Sequence, residues 1–390
     1  MTQPLPFSLS QNLKNVAPFL AMDVMAKAKA RTNQGDDILH MEVGEPSAST
    51  PALIREAAIE AIKNENISYT QALGLPELRE KIAKHYHDTY HINIPMERIV
   101  ITTGSSAGFV LSFLALFNQG DRVAISSPGY PAYRNILAAL ALEPVLIDAG
   151  ESENWQMSAH NILKVHREKP LNGVLVMSPA NPTGAMACEK TLSELAQLCR
   201  NINIPLISDE IYHGLTYGER QTCLLEKEPA ALIINSFSKY YAMTGWRIGW
   251  MVVPDFMIRP IERLIQNLFI SAPYISQKAA LAAFDATDEL ETIRCGYAKN
   301  RQYLLNTLPN VGFNRLAPAD GAFYIYADIS KLSHNSIGFC KKMLDEIGVA
   351  ATSGVDFDPI NGHRFMRFSY AGSFNTCTQL IARLKNWKLK

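Results

Sequence analysis

The chain has 390 residues, 47% hydrophobic and 19% charged, and its 37 basic and 37 acidic side chains cancel to a net charge of zero. So balanced a surface provides no long-range field for nucleic acid or an anionic membrane, and so apolar a composition is not that of a disordered protein. Six cysteines, at 188, 199, 223, 295, 340 and 377, make no close pair, which excludes a zinc spacing or a redox dithiol and fits a reducing compartment.

Residues 1–21 carry Pro4, Pro6 and Pro18 among polar neighbours, with no basic segment leading into an apolar one. Neither a secretory signal nor a bilayer span is therefore expected, and the expected location is cytoplasmic. From about residue 99, short β-branched or aliphatic runs alternate with helical patterns, the signature of a largely parallel sheet flanked by helices. Strands are predicted at 99–101, 123–125, 145–147, 174–177, 205–207, 232–234 and 248–253.

Three consecutive runs lead into polar residues: 174–177 into Asn181-Pro182-Thr183-Gly184, 205–207 into Ser208-Asp209-Glu210-Ile211-Tyr212, and 232–234 into Ser236 and Lys239. Ligands of open α/β sheets bind beyond the carboxyl ends of the strands, so these groups should meet at one edge. A long helical stretch at 255–308 follows, then alternation at 322–326, a helix at 336–347 and a strand at 365–368, which together read as an α+β lobe. Residues 1–44 are too few to fold alone and should join it. The expected division is a large α/β domain at 45–290 and a small, discontinuous domain of 1–44 and 291–390. The basic tail at 385–390 reads as the solvated end of a terminal helix.

Lys239 sits in Ser236-Phe237-Ser238-Lys239-Tyr240-Tyr241. Burial among such neighbours would favour a neutral amine able to attack a carbonyl, although a lysine beside aromatics can equally snorkel on a surface. Arg247 could depress that pKa and hold a phosphate. Gly104-Ser105-Ser106-Ala107-Gly108 precedes an apolar helical run at 109–117, so Ser105 and Ser106 could present N–H groups and hydroxyls to a phosphate, or merely cap a helix. Asp209 could keep a pyridine nitrogen protonated, an ion pair that would depress its own pKa, or it could be a plain N-cap. Asn181 and Tyr212 can donate to a ring oxygen, Tyr130 offers a flat face to a ring, Arg367 can clamp a carboxylate bidentately, and Gly44 allows close backbone approach.

These pieces in this order resemble the class I/II pyridoxal-phosphate aminotransferases of fold type I, from about residue 35 onward. The resemblance is carried by Val43-Gly44-Glu45-Pro46, by Tyr69 with Gly74-Leu75-Pro76-Glu77-Leu78-Arg79, by Asn181-Pro182-Thr183-Gly184, by Asp209-Glu210-Ile211-Tyr212, by Ser236-Phe237-Ser238-Lys239 and by Gly245-Trp246-Arg247-Ile248-Gly249. It implies a mostly parallel seven-stranded α/β sheet with helices on both faces, a smaller α+β domain, and pyridoxal 5′-phosphate as cofactor with no metal. Lys239 is then the catalytic lysine that tethers the cofactor and shuttles the Cα proton. Tyr69, Ser105, Ser106, Tyr130, Asn181, Asp209, Tyr212, Ser236 and Arg247 become cofactor contacts, and Gly44, Asn181 and Arg367 substrate contacts. Tyr69 looks like the tyrosine that reaches the phosphate of the neighbouring subunit, which implies a homodimer with shared sites. The implied reaction passes the amino group of an L-amino acid to a 2-oxo acid by a ping-pong mechanism.

Many relatives carry a Gly-Gly-Lys-like phosphate loop where this chain has Gly104-Ser105-Ser106. No basic residue is evident to pair with an acidic substrate side chain, and aromatic residues near the site suit apolar or aromatic amino acids. Two rivals remain: a carbon–sulfur β-lyase on the same fold, and a cofactor-binding regulator without turnover, for which 44 preceding residues leave no room for a DNA-binding domain.

Overall fold

A computed structural model describes residues 8–387. Pro4, Pro6 and the last three residues of the basic tail lie outside the described residues.

Helix α1 (Leu20–Asn33) leads to the short strand β1 (Leu39–His40), then to α2 (Ala52–Asn64) and α3 (Pro76–Tyr90). The large sheet is then laid down as β2 (Ile99–Thr102), α4 (Gly104–Leu116), β3 (Arg122–Ser127), α5 (Pro131–Ala139), β4 (Glu143–Asp148), α6 (Ala159–Glu168), β5 (Gly173–Met177), α7 (Glu189–Asn201), β6 (Leu206–Asp209), β7 (Leu232–Ser236) and β8 (Gly249–Val252). After α8 (Asp255–Leu268), α9 (Tyr274–Ala283) and α10 (Thr287–Thr307) come β9 (Arg315–Leu316), β10 (Tyr324–Asp328), α11 (Ser336–Ile347), β11 (Val349–Ala350), β12 (Thr352–Ser353), β13 (Phe365–Ser369) and α12 (Phe374–Asn386).

The seven-stranded sheet has the order β2-β8-β7-β6-β5-β3-β4, with β8 antiparallel to both of its neighbours and the other pairings parallel. Alternate residues of one strand serve two different cores. Leu175, Ile207, Ile234 and Met251 join one apolar cluster, while Val174, Val176, Leu206, Ile233 and Trp250 join the other. Helices cover both faces, which is why these strands read as continuous apolar runs rather than as alternation. A four-stranded antiparallel sheet, β12-β13-β10-β9, stands apart from it, and β1 pairs in parallel with β11. We propose the domain division 45–290 against 1–44 with 291–390; the β1–β11 pairing supports it by tying the first segment to the last.

Two expectations change in detail. The helical stretch at 255–308 is three helices, because Pro254 and Pro273 stand at the N-caps of α8 and α9 and Ile270 turns the chain at φ 66° between them. The apolar helix expected from residue 109 begins at Gly104 instead. Ser105 and Ser106 are thus inside its first turn, where backbone N–H groups have no partner within the helix. Among the described residues no helix is long and apolar enough to cross a membrane.

Trp250 is 1% exposed and its ring lies 4.8 Å from that of Phe237. Trp250→Ala should destabilise the protein by about 3–5 kcal/mol. Denaturant midpoints check this, and a shift equivalent to under about 1 kcal/mol would show that the sheet's second core is not packed as described.

Candidate active site

Strands β5, β6 and β7 are neighbours in the sheet, so the residues that follow them converge at its carboxyl edge on a cavity of about 300 Å³. Its lining includes Gly44, Ser105, Ser106, Tyr130, Asn181, Tyr212, Lys239, Arg247 and Arg367, drawn from eight separate stretches of chain.

Lys239 is half-buried, and its Nζ donates to the Gly44 carbonyl at 2.7 Å. Burial pushes the ammonium down to about 8, with the Arg367 and Arg247 charges adding to the fall and Glu45 and Asp209 opposing it. Gly44 is required by space: a Cβ there would fall 2.0 Å from the Tyr324 hydroxyl. That hydroxyl meets the Tyr212 hydroxyl at 2.5 Å, so Tyr212 is held from behind.

Asp209, at the end of β6, is fully buried. Its carboxylate accepts the Ile211 N–H at 3.1 Å and the Tyr133 hydroxyl. In the protein alone burial pushes its carboxyl up to about 7, although those donors and the Lys239 charge act against the rise. The depression expected from the sequence belongs to an ion pair, which needs a cation in contact. A protonated pyridine nitrogen would supply one.

Arg247 adopts φ 51° after the turn Thr244–Trp246 and donates to the Thr244 carbonyl at 2.9 Å. This left-handed conformation lays its guanidinium over the start of α4, since a Cβ on Gly104 would lie 2.5 Å from Arg247 Nη2. Free helix N–H groups, two serine hydroxyls and a guanidinium therefore face one volume, the donor set that a phosphate dianion requires.

Arg367 on β13 is 2% exposed. Its Nη1 donates to Asn181 Oδ1 at 2.8 Å and its Nη2 to the Glu42 carbonyl at 2.6 Å, while Nε is buried without a partner. The guanidinium lies between the rings of Tyr324, 4.3 Å away, and Phe357, 4.6 Å away. Among the described residues no carboxylate forms a salt bridge with it. A buried cation with neutral partners suits an incoming carboxylate.

Two expected residues stand elsewhere. Ser236 is buried behind the cavity, its hydroxyl engaged with Ser238 Oγ at 2.9 Å and the Ile248 carbonyl at 3.1 Å, and it is Ser238 that lines the space. Tyr69 is 78% exposed and outside the cavity of its own chain. The structure adds Tyr133, Tyr324 and the roof residues Phe19, Met22 and Met25, which sequence reasoning passed over. Their spacing of three is a helical face, but such a face in a sequence reads equally well as ordinary core packing.

A family model for aminotransferase class I and II matches residues 36–384, and the chain belongs to that family, which depends on pyridoxal phosphate. It is 45% identical over 376 residues to a valine–pyruvate aminotransferase of Mycobacterium tuberculosis, covering 95% of this chain and 96% of that protein. It is 35% identical over 385 residues to a (5-formylfuran-3-yl)methyl phosphate transaminase of Methanocaldococcus jannaschii, covering 97% and 99%. The fold matches the structure of an aspartate aminotransferase of Thermus thermophilus with maleate at a TM-score of 0.90, with 28% identity over 97% of this chain and 99% of that one. The protein is thus an aminotransferase of the α/β architecture expected from its sequence.

Asp209 generates a pH prediction. A carboxyl raised from 3.8 to about 7 binds more protons folded than unfolded between those values, so its contribution to stability falls as pH rises through that window. In cofactor-free protein, Asp209→Asn should therefore gain stability relative to wild type between about pH 5 and about pH 8. Urea midpoints at the two ends measure it; a gap that is constant or shrinks would contradict the burial of the charge.

Proposed function

We propose that this aminotransferase binds pyridoxal 5′-phosphate in the cavity and takes its amino group from an L-amino acid with an apolar side chain. The observation that carries this reading is the amine of Lys239, brought near neutrality in a space that also holds an unpaired Arg367 and fronts a fully buried Asp209. The donor set fits the cofactor at each end, with Ser105, Ser106 and Arg247 for its phosphate and Asp209 for its ring nitrogen. When bound, the cofactor supplies an electron-withdrawing ring that can take up negative charge from the substrate Cα.

The protein's own groups do the rest. Arg367 fixes the α-carboxylate through its free N–H groups, and Asn181 and Tyr212 offer hydrogen bonds to the ring oxygen. Tyr130, which lines the cavity, would offer its flat face to the ring. Lys239, tethered near the Gly44 carbonyl, is placed to accept the Cα proton as a neutral amine and to return it as an ammonium group. A 2-oxo acid leaves, and a second one enters to accept the amino group.

Charge supports the apolar choice. Lys239, Arg247 and Arg367 are the basic residues lining the cavity, and each already has a role. Among the described residues of one chain an acidic side chain would find no further cation in the lining, whereas Phe19, Met22, Met25 and Val43 provide an apolar surface. The relative named for valine and pyruvate supports the same substrate class.

A homodimer with shared sites is part of the proposal, since an exposed Tyr69 beside exposed Ile67 would be at home against a second copy. A cytoplasmic setting is supported by six free cysteines. Recovery of the activity from a membrane fraction or the medium would overturn that location.

Borohydride should fix the cofactor covalently onto Lys239, and Lys239→Ala should abolish multiple turnover. Retained turnover in that variant would refute the assignment. Against a common 2-oxo acid, valine, leucine and phenylalanine should exceed aspartate in kcat/KM by at least about tenfold; a preference for aspartate would refute the apolar substrate class. Mixing Lys239→Ala with Tyr69→Ala subunits should yield activity above the sum of the parents, because one hybrid site is intact. Activity no greater than that sum would refute shared sites.

A further inference from the structure

Helix α1, with Phe19 just ahead of it, roofs the cavity through Phe19, Met22 and Met25. Beyond its first turn it is held by Val24 and Ala28 against Leu344 and Ala350 and by Arg31 donating to the Leu344 carbonyl at 2.7 Å, whereas the first turn has little burial. Only Ala21 and Ala28 are buried along its length, and no side chain of its own caps its N-terminus. The cap comes from far along the chain. Asp356, 1% exposed in the turn Gly354–Asp356 between β12 and β13, accepts the Leu20 N–H on Oδ1 at 3.2 Å and the Ala21 N–H on Oδ2 at 3.0 Å. A carboxylate at the positive end of a helix satisfies N–H groups that would otherwise lack partners and is attracted by the helix dipole.

The same turn is fastened to the large sheet. Arg134 donates to the Asp356 carbonyl at 2.6 Å, the Gly129 N–H to the Phe357 carbonyl at 3.0 Å, and the Ser127 hydroxyl to Asp358 Oδ1 at 3.0 Å. Just ahead of the helix, the Asn135 side chain exchanges two hydrogen bonds of 3.2 Å with the backbone of Ala17. Between these anchors Phe19 stands edge-on to Tyr130, with ring centres 6.0 Å apart and planes at 72°.

We propose that Asp356 is a positioning residue for substrate choice: its carboxylate latches the first turn of α1 so that Phe19, Met22 and Met25 close over the substrate side chain and favour larger apolar amino acids. This rests on the apolar-substrate reading above. The first turn of α1 is held by two hydrogen bonds to one side chain while packing holds the later turns, so loss of that side chain should loosen Phe19 and Met22 while leaving the helix and the rest of the cavity in place. Substrates should feel the change in proportion to how far they reach toward α1.

The test uses holoenzyme with a common 2-oxo acid acceptor and alanine, valine and leucine as donors. Asp356→Ala should lower kcat/KM for leucine about tenfold, mainly through KM, and for alanine only about twofold. Asp356→Asn retains one acceptor oxygen and should fall between wild type and Asp356→Ala, and it carries the same comparison if the alanine variant does not fold. Phe19→Ala should show the same selective loss, and the double variant Asp356→Ala/Phe19→Ala should lose little more than either single one, because both act on one roof. A thermal shift from a purely structural role would not sort substrates by size. Equal losses for alanine and leucine, multiplying losses in the double variant, or no change in Asp356→Ala would each overturn the latch. If wild type shows neither turnover with alanine nor borohydride fixation on Lys239, the underlying functional reading has failed instead.

Discussion

Desolvation of charge governs this site. Lys239 and Asp209, at the carboxyl edge of the large sheet, and Arg367, on β13 of the small one, are withdrawn from water without partners of opposite charge in contact. Each group is costly as it stands, and each cost has a direction: the amine is driven toward neutrality, the carboxyl toward protonation, and the guanidinium is left with donors unspent. Those are the conditions under which a ligand carrying a ring cation, a carboxylate and an electrophilic carbon is most strongly favoured. The sheet makes this possible because its parallel strands β5, β6 and β7 end together, with both faces covered, and place three polar segments where water is scarce.

The second sheet and α1 complete the arrangement by working at a distance. Tyr324 on β10 holds Tyr212 and demands glycine at 44, while Arg367 on β13 ties Asn181 to the Glu42 carbonyl. Cavity-lining groups that follow the strands of the large sheet are therefore hydrogen-bonded to groups on the small one. The roof helix belongs to neither sheet and depends on the turn at Asp356, where contacts to both meet.

Much of this was legible in the sequence. Asn181, Asp209 and Lys239 were placed by short apolar runs of definite length, and a polar residue just past such a run has few places to go in an open α/β sheet. That Ser105, Ser106 and Arg247 would share one cavity was expected from serines near a helix start and an arginine able to hold a phosphate. The reading failed where a residue's surroundings come from another part of the chain. Ser236 is the last residue of β7 and Ser238 lies in the turn that follows, and only Ser238 lines the cavity. How strongly burial raises the Asp209 carboxyl in the protein alone is not displayed by the sequence, because that burial is built by other segments.

The amino-acid sequence by itself determined the α/β architecture and the family, and pointed to Lys239 and the polar residues beyond the strands as the site, because strand length, glycine placement and charged residues at strand ends are local properties. Tertiary structure alone decided which face of each segment lines the cavity, how far each charge is desolvated, and that a carboxylate at 356 caps a helix beginning at 20. Those depend on contacts between distant segments, 76 positions apart for Tyr133 with Asp209 and 336 for Leu20 with Asp356, and no periodicity or spacing within a segment records them.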